Sequence, residues 1–190
     1  MKLYSAPDPV RLHTRDPKLA DTEAVWFNGG RQWNIVDSYA NTLAYREFHK
    51  VLERGGVIGG SSAGATIQAE HLVRGDNSGP NVVMTAEPNH QEGFKFLRNT
   101  AIDQHINARN RWDDLIPVIR KFPKLLGIGL SEGTAIIVKG ETFEVMGKWK
   151  VAAMTADGAR GGQRGEPGAR AGLEDAVAGS QRAEPNQSLG

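Results

Sequence analysis

The chain has 190 residues, no cysteine and a net charge of +1, with 39% hydrophobic and 24% charged residues. That balance suits one soluble domain with a real core. The missing cysteine excludes disulfides, thiol nucleophiles and thiolate metal sites, and the near-zero charge gives no electrostatic case for nucleic acid or an anionic membrane.

No apolar run approaches the ~20 residues that span a bilayer. The start, Met1 to Pro9, lacks the apolar stretch of a signal peptide. Both observations point to a soluble protein of the cytoplasm.

In chain order, Ala24-Val25-Trp26-Phe27 predicts a short buried strand running into the loop Asn28-Gly29-Gly30-Arg31-Gln32. A helix is expected from Ser38 to Arg54, with Ala40, Ala44, Phe48, Val51 and Leu52 on one face and Gly55-Gly56 as the stop. Gly56 to Gly59 is the next strand, followed by a turn and a helix over Ala63 to His71. A polar loop over residues 75–93 leads to a strand ending at Ile102-Asp103-Gln104-His105.

The next helix, Ala108 to Lys121, carries Trp112, Leu115, Ile116 and Ile119 on one face, with a kink expected at Pro117. Leu126 to Leu130 is a glycine-rich strand ending at Ser131-Glu132, and Thr134 to Val138 with Thr142 to Met146 form a hairpin. No internal repeat is visible. Strands alternating with helices predict an α/β fold with an open, mostly parallel sheet. The expected catalytic domain covers residues 1–151. Residues 152–190 hold no aromatic residue, are dense in Gly, Ala, Arg, Glu and Pro, and read as a disordered low-complexity tail.

Gly60-Ser61-Ser62-Ala63-Gly64 fits G-x-S-x-G between an apolar strand and a helix-forming run. Such a turn thrusts a serine out at the top of a sheet, where flanking side chains would collide with backbone. The Ala63 amide, at the helix start, then suits an oxyanion, and the Asn28-Gly29-Gly30 loop offers further donors. A plain strand-to-helix turn fits the same pattern. A phosphate loop fits less well, since no Lys-Ser/Thr follows the glycines.

A serine nucleophile needs a base. His49 and His71 fall inside expected helices, His13 in an irregular segment and His90 in the polar loop. His105 instead closes an apolar strand, at the sheet end where α/β proteins gather their sites. Glu132 follows another strand in the same way and would orient the imidazole. The order Ser…His…acid differs from the α/β-hydrolases.

Four motifs now resemble a known family. Gly59-Gly60-Ser61-Ser62-Ala63-Gly64-Ala65, Asp103-Gln104-His105, Arg109-Asn110-Arg111 and Gly127 to Ala135 look like the cyanophycinases, serine peptidases whose family also holds aspartyl dipeptidase. Phe27 to Gln32 resembles that family's glycine loop, and the likeness runs from about Ala24 to Ala152. It implies a Ser62–His105–Glu132 triad, an oxyanion hole from Gly29, Gly30 and Ala63, and substrate contacts from Gln32, Asp103, Gln104, Arg109 and Arg111.

The resemblance also implies a parallel sheet with helices on both faces, related to class I glutamine amidotransferases. No cofactor is expected, the partner is a peptide or isopeptide substrate such as a β-aspartyl-arginine unit, and the usual assembly is a homodimer. Asp103 would suit a cationic group, and the two arginines a carboxylate. Asp113-Asp114 stand where the family carries a further arginine, no counterpart of the family's first strand is expected in residues 1–23, and the tail replaces its C-terminal elements. A chain trimmed at both ends also admits a second reading, a catalytically silent relative that only binds.

Overall fold

The computed structural model describes residues 3–5, 17–156 and 170–172. The chain forms two compact units, Met1–Ile102 and Asp103–Gly190.

In the first unit, β1 (Leu3–Ser5), β2 (Ala24–Phe27) and β3 (Val57–Gly60) pair in parallel in that order, with Phe27 opposite Gly60. Strand β1 lies within residues 1–23, where no counterpart was expected. The helices are α1 (Pro17–Ala20), α2 (Gln32–Tyr39), α3 (Leu43–Glu53) and α4 (Ala63–Thr66). Strand β4 (Ala69–His71) pairs in parallel with β5 (Leu97–Gln104), whose last two residues belong to the second unit.

The core gathers aromatic rings from four segments. Phe27 meets Phe48 at 5.1 Å and Phe94 at 5.6 Å, both edge-on, and Tyr39 meets Phe48 at 5.5 Å. Edge-to-face pairs add to the stabilisation that burial alone supplies. Strand β2 is thereby held from beneath, and its C-terminal end becomes a fixed platform for the loop that follows.

The single helix expected over Ser38–Arg54 is two. Asn41, at φ 61°, breaks it, and Thr42 caps α3 by accepting the Tyr45 N–H at 3.2 Å. Ala44, Phe48 and Val51 form the buried face as expected, whereas Leu52 lies outward. Helix α2 starts at Gln32, the last residue of the expected loop, and runs through residues 33–37, to which the sequence assigns no element. The helix expected over Ala63–His71 stops at Thr66, so His71 lies on a strand.

In the second unit, β6 (Leu126–Leu130) pairs antiparallel with β9 (Val151–Met154). Strands β7 (Thr134–Lys139) and β8 (Thr142–Gly147) form the predicted hairpin, with β10 (Arg170–Gly172) antiparallel to β8. Strand β9 is buried along its length, so Ala152 to Met154 belong to the fold and not to a tail. Of the expected disordered segment, residues 157–169 and 173–190 lie outside the described residues.

Helix α5 (Ile116–Lys121) is shorter than the predicted Ala108–Lys121. Pro117 sits in its first turn, where a missing N–H costs nothing, so it starts the helix instead of kinking it. Leu115, Val118 and Ile119 are buried, while Trp112 is exposed. Parallel pairs in one unit and an antiparallel pair beside a helix in the other make the class α/β. Among the described residues no helix is long and apolar enough to cross a membrane.

Candidate active site

Ser62 stands between β3 and α4 with φ 54° and ψ −120°, a conformation that L side chains rarely adopt. The turn is pinned on both sides. The Ser61 N–H donates to the Phe27 carbonyl at 3.0 Å, and the Ser62 carbonyl accepts from Ala65 and Thr66 at 3.0 and 3.1 Å. A Cβ on Gly64 would lie 2.0 Å from the Phe27 oxygen, and one on Gly60 would lie 2.3 Å from the Gly64 oxygen. Both glycines are therefore required by backbone passing backbone, as the pattern suggested.

The Asn28-Gly29-Gly30 loop comes off β2 directly beside this turn. A Cβ on Gly29 would sit 3.1 Å from Ser62 Cβ and 3.6 Å from its Oγ, so the glycine backbone flanks the hydroxyl. Gly30 has φ 138°, a value few other residues tolerate. Ala63 is wholly buried at the first position of α4, where backbone N–H groups have no acceptor within the helix. Gln32, the first residue of α2, is buried nearby in sequence.

In the second unit His105 follows β5 with φ 61°, and its carbonyl accepts the Arg109 N–H at 2.9 Å. Its Nδ1 hydrogen-bonds Glu132 Oε1. A base oriented through Nδ1 in this way would act through Nε2. The Glu132 backbone is held at both ends. Its N–H donates to Asn107 Oδ1 at 2.8 Å, and its carbonyl accepts the Thr134 hydroxyl at 3.3 Å.

The substrate-contact candidates divide by exposure. Asp103 is wholly buried, with its Oδ1 accepting the Gln104 N–H at 2.9 Å. Gln104 and Arg111 are buried as well, while Arg109 is open to solvent.

Asn107 and Thr134 are not among the expected site residues: Thr134 lies within the Gly127 to Ala135 motif, and Asn107 is signalled only by closeness in sequence to His105. Sequence reasoning also set aside His90 as a loop histidine. His90 is buried at the end of a short 3-10 turn, Pro88–His90, and its Nε2 lies 2.9 Å from Asp37 Oδ1 on α2. His13 lies outside the described residues.

The chain matches the model of peptidase family S51 over residues 3–146. It belongs to that family. It is 30% identical to a cyanophycinase of Geminocystis herdmanii over 157 residues, 80% of this chain and 57% of that protein. A cyanophycinase of Trichormus variabilis is 31% identical over 138 residues, 70% of this chain and 45% of the relative. The chain thus spans about half the length of the curated relatives it matches. Its fold is that of a crystal structure of a peptidase from an acI-B1 actinobacterium, with TM-score 0.55 and 23% identity over 81% of this chain and 58% of the other. The match from residue 3 places the start of the likeness before the expected Ala24.

Proposed function

We propose that the chain is a serine-type peptidase that hydrolyses peptide or isopeptide bonds next to aspartate. The observation that carries this reading is the strained Ser62 turn with the Gly29 backbone against it. Family membership supports it, as do the curated relatives named cyanophycinase. The His105–Glu132 hydrogen bond supports His105 as the base and Glu132 as its orienter.

In this mechanism Ser62 Oγ attacks the scissile carbonyl while its proton passes to His105 Nε2. The carbonyl π electrons move to oxygen, and the amides of Gly29 or Gly30 and of Ala63 receive the oxyanion. Collapse expels the amine, which takes the proton from His105, and leaves an acyl ester on Ser62. Water, deprotonated by His105, then repeats the attack and frees the acid and the serine. Glu132 holds the imidazole through its bond to Nδ1. Among the expected substrate contacts, Arg109 is open to solvent and would meet a substrate carboxylate, whereas Gln32, Asp103, Gln104 and Arg111 are buried.

A fluorophosphonate probe tests the chemistry: it should label Ser62, and Ser62→Ala should abolish labelling. Labelling that persists in Ser62→Ala would overturn the assignment. Hydrolysis of β-aspartyl-arginine beside α-aspartyl and plain peptides tests the substrate class. Turnover of α-aspartyl dipeptides alone would move the reading to aspartyl dipeptidase.

A further inference from the structure

Asn107 occupies a place that the sequence motifs do not explain. It lies two residues beyond His105, inside the turn closed by the Arg109 N–H to His105 carbonyl bond of 2.9 Å and the Arg111 N–H to Ile106 carbonyl bond of 2.8 Å. The positive φ of His105, 61°, redirects the chain as it leaves β5. Asn107 Oδ1 thereby accepts the N–H of Glu132, the residue whose carboxylate holds His105.

We propose that Asn107 is a positioning residue: its side-chain oxygen fixes the Glu132 peptide so that the carboxylate stays on His105 Nδ1. This rests on the Ser-His-Glu reading above. The geometry closes a ring through His105, the turn, Asn107 and Glu132. The peptide of Glu132 follows β6 and leads into Gly133, which sits at φ 61° with its carbonyl accepting the Lys148 N–H at 3.0 Å. Thr134 restrains the other end. Its hydroxyl donates to the Glu132 carbonyl while its oxygen accepts the Trp149 N–H at 2.9 Å.

Without Asn107 the Glu132 N–H loses its protein acceptor, and the loop gains freedom to rotate its carboxylate away. Losing an exposed hydrogen bond of this kind should lower the population of the correct geometry about fivefold.

Three variants decide the matter: Asn107→Ala, Asn107→Ser and Asn107→Asp, the last keeping an oxygen acceptor at the same reach. Two readouts are taken, each after urea melts confirm a folded chain. The first is the rate of fluorophosphonate labelling. The second is the low-field NMR signal of the His105 Nδ1 proton, assigned by its loss in His105→Gln.

Asn107→Ala should slow labelling about fivefold and broaden the imidazole signal, and Asn107→Asp should restore both. If Asn107→Ala does not fold, Asn107→Ser, too short to reach the peptide, should show the same two losses. Labelling within twofold of the parent, with an unchanged signal, would overturn the proposal. So would a lower melting point with neither readout altered, the mark of a purely structural asparagine. A parent chain that takes no label refutes the serine-peptidase reading instead, and the NMR signal still reports whether Asn107 holds the His105–Glu132 pair.

Discussion

Replacing Gly64 by alanine isolates the demand that the Ser62 turn makes on backbone packing. The added Cβ would stand 2.0 Å from the Phe27 oxygen, 2.5 Å from its carbonyl carbon and 2.7 Å from the Asn28 oxygen. All three are main-chain atoms at the end of β2, so no rotamer change relieves the clash. Relief requires α4 and the β2 end to part by about 1 Å, and overpacking of that kind costs roughly 1–3 kcal/mol. The movement also strains the Ser61 N–H to Phe27 carbonyl bond of 3.0 Å and carries Ser62 away from Gly29. A displacement near 1 Å at reacting atoms can cost about a hundredfold in rate.

Gly79→Ala is the matched control. Its Cβ meets nothing within 4 Å, so it should be neutral or stabilise by up to ~1 kcal/mol. Urea unfolding followed by circular dichroism gives the stabilities, and fluorophosphonate labelling gives the rates. A Gly64→Ala chain as stable as Gly79→Ala, labelling within threefold of the parent, would refute the reasoning.

Phe48→Ala removes a wholly buried ring that touches Phe27 and Tyr39, and should cost about 3–5 kcal/mol in urea unfolding. Burial holds the His49 imidazole below its ordinary 6.5, with the Phe94 carbonyl and Glu53 pulling the other way. A lowered histidine stabilises the fold above its unfolded value and loses that contribution as pH falls below it. His49→Phe should therefore flatten the slope of stability against pH just under pH 6.5, measured by urea melts across that range. Hydrogen bonds from the Ser78 hydroxyl, the Thr85 hydroxyl and the Ser78 N–H lower the Asp76 carboxyl from its ordinary 3.8. Thr85→Val removes one donor, so the Asp76 titration followed by carbon NMR should move upward.

The elements legible in the sequence are those with apolar runs bounded by glycine or a polar turn: β2, β6 and the β7–β8 hairpin. Helix α2 was hidden because its first residue, Gln32, follows two glycines that mark a loop. The break at Asn41 escaped notice because helical spacing continues across it from Ala40 to Ala44, and only the φ of 61° reveals the stop. Strand β9, Val151-Ala152-Ala153-Met154, is only four residues long, and its burial depends on pairing with β6, a contact distant in sequence.

The residues of the candidate site were legible for a different reason. Ser62, His105 and Glu132 each stand just beyond a strand, and that position is written locally. Asn107 was not legible, because its partner lies 25 residues away and neither residue signals the other.

The backbone of Ser62 carries a further meaning. At φ 54° and ψ −120°, a residue with a Cβ costs on the order of 1–3 kcal/mol relative to one without. Selection for stability alone would fill the position with glycine. A fold that keeps a hydroxymethyl group there forgoes stability at one site, and such a deficit is the thermodynamic mark of a residue retained for what it does. By the same logic, Ser62→Gly should yield a sturdier protein that has lost its chemistry.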